Sequence, residues 1–394
     1  MALFRTLDDL DDVAGQRALV RVDLNVPMAD GAVTDDTRLR AHVPTITELS
    51  DAGAKVLLLA HFGRPKGEYR AEFSLGPVVP VLADVLGRDV ALMERPNAEA
   101  IEALSDGAIV VIENTRFAAG EENNDPQMAK IIAAFGDFYV NDAFSVSHRA
   151  HMSTEGLTHC LSAYAGRAMQ AELDALGAAL GNPKHPVAAV VGGAKVSTKL
   201  DVLEHLVTKV DHLIIGGGMA NTFLAARGVD VGKSLCEHDL TETVIAILDA
   251  ADKADCTVHL PYDVVVAEEF AANPTTRTVN VHEVAAHEMI LDIGPAAVEA
   301  LGDVLKTCKT LVWNGPLGAF EIPPFDAATV ALAQTAAALT REGSLVSVAG
   351  GGDTVAALNH AVVADDFTFV STAGGAFLEW MEGKDLPGVE ALSI

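Results

Sequence analysis

Residues 18–27 read ALVRVDLNVP, and the alternation within this run predicts a β-strand whose two faces differ in chemistry. One face carries only apolar side chains, namely Ala18, Val20, Val22, Leu24 and Val26. The other face carries Arg21, Asp23 and Asn25. Because ligands of open α/β sheets bind beyond the carboxyl ends of the strands, these polar residues are candidates for a binding site.

Nine short runs rich in β-branched residues recur along the chain, and helix-like Ala/Leu segments follow them. Most are continuously apolar, which is typical of strands buried on both faces of a parallel sheet. The alternation of strands with helices indicates βαβ units and therefore an α/β fold. The predicted strands span residues 19–26, 55–60, 109–112, 138–140, 187–191, 212–215, 310–313, 344–349 and 368–370.

The chain is long enough for more than one domain, with 394 residues. Residues 171–180 (AELDALGAAL) predict a helix, and residues 181–186 (GNPKHP) must end it because of their Gly and Pro content. We therefore predict two doubly wound, Rossmann-like parallel-sheet domains that are joined by a helix and a hinge. The break falls at residues 168/169, and we expect a cleft between the domains.

The composition excludes several classes of protein. Lys and Arg number 27 against 55 Asp and Glu, so the net charge is −28, which disfavours nucleic acid and anionic membrane as partners. The four cysteines have no CxxC spacing, so neither a zinc site nor a disulfide framework is predicted. The N-terminus lacks the apolar core of a signal peptide, and no uncharged apolar run reaches roughly 18 residues. We expect a cytoplasmic protein.

Cationic side chains follow the predicted strands of the first half, where ligands of open α/β sheets bind. Arginine is suited to bidentate contacts with phosphate or carboxylate, so these strand ends predict a site for a small polyanion. The cationic residues in question are Arg38, His61, Arg64, Arg116 and Arg149.

The strand ends of the second half are rich in glycine, at residues 192–195, 216–219, 314–318 and 350–354. Glycine lets the backbone approach a ligand closely, and the N–H groups at a following helix start favour phosphate. Lys195 and Lys199 are four residues apart, so on a helix start we expect them to face the same way. Asp353 follows three glycines, where a carboxylate can hold Mg²⁺ that is bound to phosphates. These turns predict a nucleotide site.

Several motifs together resemble the phosphoglycerate kinase family, in the same order and nearly from end to end. They are RVDLNVP (21–27), HFGRP (61–65), NDAF with HRAH (141–151), GGAKVSTK (192–199), GGGMANTF (216–223), WNGPLGAFE (313–321) and GGGDT (350–354), with SLGPVVPVL (74–82) and LPGVEAL (386–392). The resemblance implies phosphoryl transfer from 1,3-bisphosphoglycerate to MgADP, which gives 3-phosphoglycerate and MgATP. It also implies a monomer that closes its domains over both substrates, with residues 384–394 returning to the first domain.

The resemblance also implies roles for individual residues. Those implied to hold phosphoglycerate are Asp23, Asn25, Arg38, His61, Arg64, Arg116 and Arg149. Those implied to hold the nucleotide are Lys199, Gly217, Asn314, Glu321, Gly351, Gly352, Asp353 and Thr354, with Glu321 at the ribose and Asp353 at Mg²⁺. Arg38, Lys195 and Gly375 are implied to act on the phosphoryl group in transfer.

Two positions depart from the family pattern, and two other functions compete with a kinase. Ser145-Val146-Ser147 and Ala373 stand where the family usually has glycine, and we expect Ala373 at most to slow turnover. A binding protein on the same fold would need a lost site residue, and Ala373 is the only candidate. A Rossmann dehydrogenase is disfavoured because no G-x-G-x-x-G follows an early strand with an acidic residue about 20 positions later.

Overall fold

The computed structural model describes residues 4–394, which divide into two compact units. The first unit contains the residues up to Asp174 together with Asp385–Ile394, and the second contains Ala175–Lys384. The C-terminal segment therefore returns to the first unit, where the Gly388 N–H donates to the Ser147 carbonyl oxygen at 2.8 Å.

The first unit is built on a six-stranded parallel sheet with a small hairpin beside it. Its strands are β1 (Arg17–Arg21), β2 (Met28–Ala29), β3 (Ala32–Val33), β4 (Lys55–Leu59), β5 (Val90–Met93), β6 (Ile109–Ile112), β7 (Phe138–Asn141) and β8 (Ala163–Ala165). The sheet order is β5-β6-β4-β1-β7-β8, and β2 pairs with β3 in the hairpin. β1, which includes Arg21, therefore lies inside the sheet between β4 and β7.

Helices connect these strands, as βαβ units require. They are α1 (Thr37–Ala41), α2 (Val43–Asp51), α3 (Val79–Leu86), α4 (Ala98–Glu102), α5 (Ala119–Glu122), α6 (Pro126–Ala133) and α7 (Arg167–Leu176), with a last short helix at Pro387–Glu390. Along the chain, α7 leads from the first unit into the second.

The second unit has a six-stranded parallel sheet and a three-stranded antiparallel sheet. Its strands are β9 (Val187–Val191), β10 (His212–Ile215), β11 (Thr257–His259), β12 (Asp263–Ala267), β13 (Thr276–Asn280), β14 (Met289–Ile293), β15 (Thr310–Asn314), β16 (Val346–Gly350) and β17 (Phe369–Ser371). Its helices are α8 (Leu200–Leu206), α9 (Gly217–Ala226), α10 (Thr241–Lys253), α11 (Pro295–Thr307), α12 (Ala327–Arg341), α13 (Gly352–His360) and α14 (Gly374–Met381). The orders are β11-β10-β9-β15-β16-β17 and β13-β12-β14.

The predicted fold class is confirmed, because both main sheets are parallel and helices alternate with their strands. Every residue of β4, β6, β9 and β15 is buried, as continuously apolar strands require. The antiparallel sheet was not predicted. Its strands are short and polar at several positions, and β13 has the sequence TRTVN.

Two predicted elements differ most from their predicted bounds. The strand predicted at residues 19–26 ends at Arg21, and the Val26 N–H turns back to the Leu24 carbonyl oxygen. The alternation nevertheless continues, since Val22, Leu24 and Val26 remain in the apolar core. The helix predicted at residues 171–180 is α7, which begins at Arg167 and ends at Leu176 in a π-helical turn over Gly177–Gly181.

Candidate active site

Asp23 lies at the centre of the polar strand ends of the first unit. Its buried carboxylate accepts hydrogen bonds from Arg38 Nη1 at 3.2 Å, from Ser145 Oγ at 2.6 Å and from the Asn25 N–H at 3.0 Å. Burial alone would raise the pKa of Asp23, but Arg38, His61 and these hydrogen bonds outweigh it and lower the pKa below its usual value. The carboxylate is therefore charged and fixed in position.

Asn25 and Arg116 connect the ends of β1, β4 and β6. Arg38 Nη1 donates to the Asn25 carbonyl oxygen at 2.9 Å, and the Asn25 side-chain oxygen accepts from the Gly63 N–H at 3.0 Å. Arg116 Nη1 donates to the Gly63 carbonyl oxygen at 3.0 Å. These bonds run through Asn25 and Gly63. The structure therefore brings four predicted residues together, namely Asp23, Asn25, Arg38 and Arg116.

His61 is a buried, neutral member of the same site. Burial first, and then Arg21 and Arg116, hold the pKa of His61 well below its usual value. Arg21 Nη2 lies 3.1 Å from His61 Nδ1, and a guanidinium can only donate. His61 Nδ1 must then accept, which leaves the Nε2–H of His61 as a donor for a ligand.

Arg64 and Arg149 are the exposed predicted members of this site. The charge of Arg64 lowers the pKa of Arg116, and the charge of Arg149 lowers the pKa of His151. Burial and the neighbouring arginines together lower the pKa of His151 to about 4. His151 in turn acts on His61. The two exposed arginines therefore lie close enough to add to the positive potential of the site.

Buried polar and charged residues next to this cluster are linked to it by hydrogen bonds. Arg21 is fully buried and donates through Nε to Ser153 Oγ at 2.8 Å, and Ser153 Oγ donates to Glu121 Oε1 at 2.6 Å. The Asp23 N–H donates to His42 Nε2, so His42 donates through Nδ1 to Asp142 Oδ2 at 2.8 Å. The sequence placed Arg21 on the polar face, but Glu121, Ser153 and His42 stand in segments with no motif that singles them out.

Lys199 and Asn314 form the centre of the second site, in the second unit. Lys199 Nζ donates to the Gly192 carbonyl oxygen at 2.7 Å, to the Asn314 carbonyl oxygen at 3.1 Å and to the Asn314 side-chain oxygen. Burial lowers the pKa of Lys199 to about 8, while Asp353 acts in the opposite direction. At pH 7 Lys199 is therefore a half-buried ammonium group, whose charge favours an anion nearby.

The turn after β16 is held against the same strand end. Asn314 Nδ2 donates to the Gly350 carbonyl oxygen at 2.8 Å, and Thr354 Oγ1 accepts from the Gly315 N–H at 2.7 Å. Gly351 has φ +97°, and a Cβ there would lie 2.6 Å from Asn314 Nδ2. Only glycine fits this position, so the backbone turn and the start of α13 at Gly352 are fixed together.

A cavity of about 530 Å³ adjoins these turns. Gly217, Glu321 and Asp353 line it, and Leu235, Phe270, Met289 and Leu291 give it an apolar wall. Asp292, also in the lining, accepts from the N–H groups of Ile293 and Ala328, and burial raises its pKa to about 8. The size and mixed lining suit a nucleotide, with its base on the apolar wall and its phosphates near the glycine turns.

Lys195 and Lys199 do not share a helix face, so that expectation is wrong. Lys195 is exposed and extended, with φ −136° and ψ 134°, and a 3₁₀ turn over Val196–Thr198 separates it from Lys199. The helix α8 begins only at Leu200, so the helical spacing rule does not apply between the two lysines.

Gly375 lies in the first turn of α14, next to the phosphate turn. A Cβ on its neighbour Gly374 would come within 3.8 Å of the Gly352 N and 3.9 Å of the Gly351 Cα, so the starts of α13 and α14 are adjacent. Ala373, which precedes α14, has φ −91° and ψ 51°. That backbone conformation does not require glycine.

Asp353 is the carboxylate best placed for a nucleotide-bound Mg²⁺. It is exposed, lines the cavity and stands in the first turn of α13. Within residues 4–394 there is no group of three or more His, Cys, Asp or Glu that could hold a metal ion. One carboxylate is nevertheless sufficient for Mg²⁺ that arrives on substrate phosphates and keeps several waters, so the residues fit a MgADP substrate.

The two sites together define a class of protein: a kinase that acts on a small anion. A sequence profile of the family "Phosphoglycerate kinase" matches residues 7–384. Among similar proteins, the phosphoglycerate kinases of Rhizorhabdus wittichii and Novosphingobium aromaticivorans are each 74% identical, over 393 and 391 residues, and each comparison covers 99% of both chains. This chain belongs to the phosphoglycerate kinase family.

Solved structures agree with this assignment. The structure of phosphoglycerate kinase from Coxiella burnetii matches with a TM-score of 0.93 and 41% identity, covering 99% of both chains. Phosphoglycerate kinase from Pyrococcus horikoshii matches with a TM-score of 0.77 and 29% identity, over 99% of this chain and 98% of that one. Among the described helices of this protein, none is both long and apolar enough to cross a membrane.

Proposed function

We propose that the protein catalyses reversible phosphoryl transfer between 1,3-bisphosphoglycerate and MgADP. The acyl phosphate bond breaks, a β-phosphate oxygen of ADP takes the phosphoryl group, and 3-phosphoglycerate leaves with a free carboxylate. One observation carries the proposal beyond family membership: a cluster of arginines around Asp23 occurs in one unit, and glycine turns around Lys199 occur in the other.

The first unit is the proposed phosphoglycerate domain. Arginine guanidinium groups bind phosphate and carboxylate oxygens in pairs, and neutral His61 offers its Nε2–H. Asp23 and Asn25 hold this arrangement through Arg38 and Gly63 and accept hydrogen bonds from a substrate hydroxyl. The residues proposed to bind phosphoglycerate are Asp23, Asn25, Arg38, His61, Arg64, Arg116 and Arg149.

The second unit is the proposed nucleotide domain. Backbone N–H groups at the start of α13 suit phosphates, and Glu321 at the cavity suits a ribose hydroxyl. Asp353 would hold the Mg²⁺ of MgADP, and that ion neutralises charge on the transferring phosphates. The residues proposed to bind the nucleotide are Lys199, Gly217, Asn314, Glu321, Gly351, Gly352, Asp353 and Thr354.

The transfer needs alignment and positive charge more than it needs a nucleophilic side chain. Arg38 and Lys195 are the proposed cations beside the phosphoryl group in transfer, and the N–H of Gly375 at the start of α14 is a further donor. We expect the two domains to close over the reactants, since closure brings them into line and keeps water from taking the phosphoryl group. We also propose that the enzyme acts as a monomer in the cytoplasm.

A coupled assay tests this function. The protein is given 3-phosphoglycerate and MgATP, and 1,3-bisphosphoglycerate is trapped by NADH-dependent reduction. We expect turnover that requires Mg²⁺ and is abolished in Lys195→Ala. If the wild-type protein binds both ligands in calorimetry but shows no turnover, the kinase proposal fails, and Ala373→Gly then tests whether that residue blocks the reaction.

A further inference from the structure

Ser145 makes a direct contact with the centre of the phosphoglycerate site. It is half-buried in the 3₁₀ turn Phe144–Val146 after β7, and its hydroxyl donates to Asp23 Oδ2 at 2.6 Å. Arg38 Nη1 donates to the same oxygen at 3.2 Å. Ser145 and Arg38 therefore share one carboxylate oxygen, although they lie far apart in the sequence.

Asp23 is the point where four segments of the first unit meet. Ser145 follows β7, Arg38 lies in α1, and His42 at the junction of α1 and α2 accepts from the Asp23 N–H at 2.9 Å. His61, which follows β4, acts on Asp23 electrostatically. These are the titratable groups and the hydroxyl that the described chain places against Asp23, so the carboxylate has little freedom to move.

We infer that Ser145 is a positioning residue for phosphoglycerate binding: it fixes Asp23, and through Asp23 it fixes the guanidinium of Arg38. A hydrogen bond from a hydroxyl to a charged carboxylate is short and strong, which agrees with 2.6 Å. When this donor is removed, one lone pair of a buried charge loses its partner, and Asp23 can rotate away from Arg38. Arg38 then loses the orientation that the substrate requires.

This inference rests on the proposed function, because the ligand concerned is 3-phosphoglycerate. The test uses the full chain and measures the Kd of 3-phosphoglycerate and of MgADP by calorimetry, together with kcat and KM. In Ser145→Ala we expect the Kd and KM for 3-phosphoglycerate to rise on the order of tenfold. We expect the Kd of MgADP to stay unchanged, since that ligand binds in the other unit.

Ser147→Ala is the matched control, because Ser147 lies in the same loop and is fully buried but donates to the Ala143 carbonyl oxygen instead. We expect this control to lower thermal stability without a change in the Kd of 3-phosphoglycerate. Ser145→Thr retains a hydroxyl and should restore the wild-type Kd. In Asp23→Ala, the additional change Ser145→Ala should have no further effect on that Kd.

The outcomes separate the inference from the function on which it rests. If wild-type protein fails to bind 3-phosphoglycerate, the proposed function is wrong. If wild-type protein binds it and Ser145→Ala binds it equally well, only the role of Ser145 is wrong. If Ser147→Ala weakens binding as much as Ser145→Ala, the loop acts as a whole and the specific contact with Asp23 is rejected.

Discussion

The two units present candidate anion sites of different construction. In the first, side chains form the site: Arg38 donates to Asp23, Arg116 donates to the Gly63 carbonyl oxygen, and Ser153 donates to the buried Glu121. In the second, backbone turns form much of the site, and the turns at Gly217, Gly315 and Gly351 all have positive φ. Different substitutions should therefore disable each site.

The largest effect is expected for the two cations proposed to act on the phosphoryl group, one in each unit. Arg38→Ala and Lys195→Ala should each lower kcat by about 10²–10³-fold, since each removes a positive group from the transition state. The Kd of MgADP should change far less. Steady-state kinetics and calorimetry measure the two quantities. Equal losses in kcat and in MgADP affinity would contradict these roles.

The next effect distinguishes a backbone site from a side-chain site. Gly351→Ala forces a Cβ to within 2.6 Å of Asn314 Nδ2 at φ +97°, so the turn must shift. We expect the Kd of MgADP to rise about 10–100-fold, as for strain of roughly 1–3 kcal/mol. The Kd of 3-phosphoglycerate should not change.

Gly302→Ala provides the control for this change. Gly302 is also a glycine of the second unit, but it lies in α11, and a Cβ there meets nothing nearer than Thr335 Cγ2 at 3.6 Å. Calorimetry should find wild-type affinities for both ligands. If Gly351→Ala also binds MgADP normally, the turn does not depend on glycine.

A smaller effect separates the two sites by pH. The pKa of Lys199 is about 8, and bound phosphates favour its protonated form, so nucleotide affinity should be highest below pH 8 and fall as pH rises through about 8. We expect a loss of about three- to tenfold in MgADP affinity between pH 7 and pH 9. Affinity for 3-phosphoglycerate should be flat between pH 7 and pH 8, because His61 and His151 are already neutral and the ligand's phosphate has lost its second proton.

Lys199→Arg checks the assignment of this pH dependence, since arginine stays charged throughout the range. Its MgADP affinity should not vary between pH 7 and pH 9, whatever its absolute value. A wild-type protein whose MgADP affinity is also constant over that range would show that Lys199 does not titrate in contact with the nucleotide.

The smallest effect is expected at Ala373. Its negative φ and buried methyl group fit the turn before α14, so glycine offers no relief of strain. We expect Ala373→Gly to change kcat by less than about twofold and to lower the free energy of unfolding by under about 1 kcal/mol, through the freer unfolded chain. A severalfold rise in kcat would show that the alanine restrains the reaction.

The fold could be predicted from the sequence, and so could the positions of most candidate site residues, because these residues lie where strands end. Residues 109–112, 187–191 and 212–215 are strands with the predicted bounds, since short apolar runs closed by polar residues have few alternatives. The sites follow from them, because the carboxyl ends of parallel strands meet at one edge of a sheet. Their assignment to ligands stays a prediction.

The remaining features depend on contacts between residues far apart in the chain. Glu121 and Ser153 have no local pattern, and only folding places them behind Arg21. The spacing of Lys195 and Lys199 suggested a common helix face, but the chain is extended at Lys195, so the spacing rule fails there. In the sequence, Ser145 was only a departure from the family pattern, and its contact with Asp23 is visible only in the structure.

The proposal that each unit binds one of the two reactants is tested most directly by calorimetry on two variants, Arg116→Ala in the first unit and Gly351→Ala in the second. Each is titrated with 3-phosphoglycerate and with MgADP. We expect that Arg116→Ala loses affinity for 3-phosphoglycerate alone and that Gly351→Ala loses affinity for MgADP alone. If either variant loses affinity for the other unit's ligand, or for both ligands equally, the assignment of one reactant to each unit is contradicted.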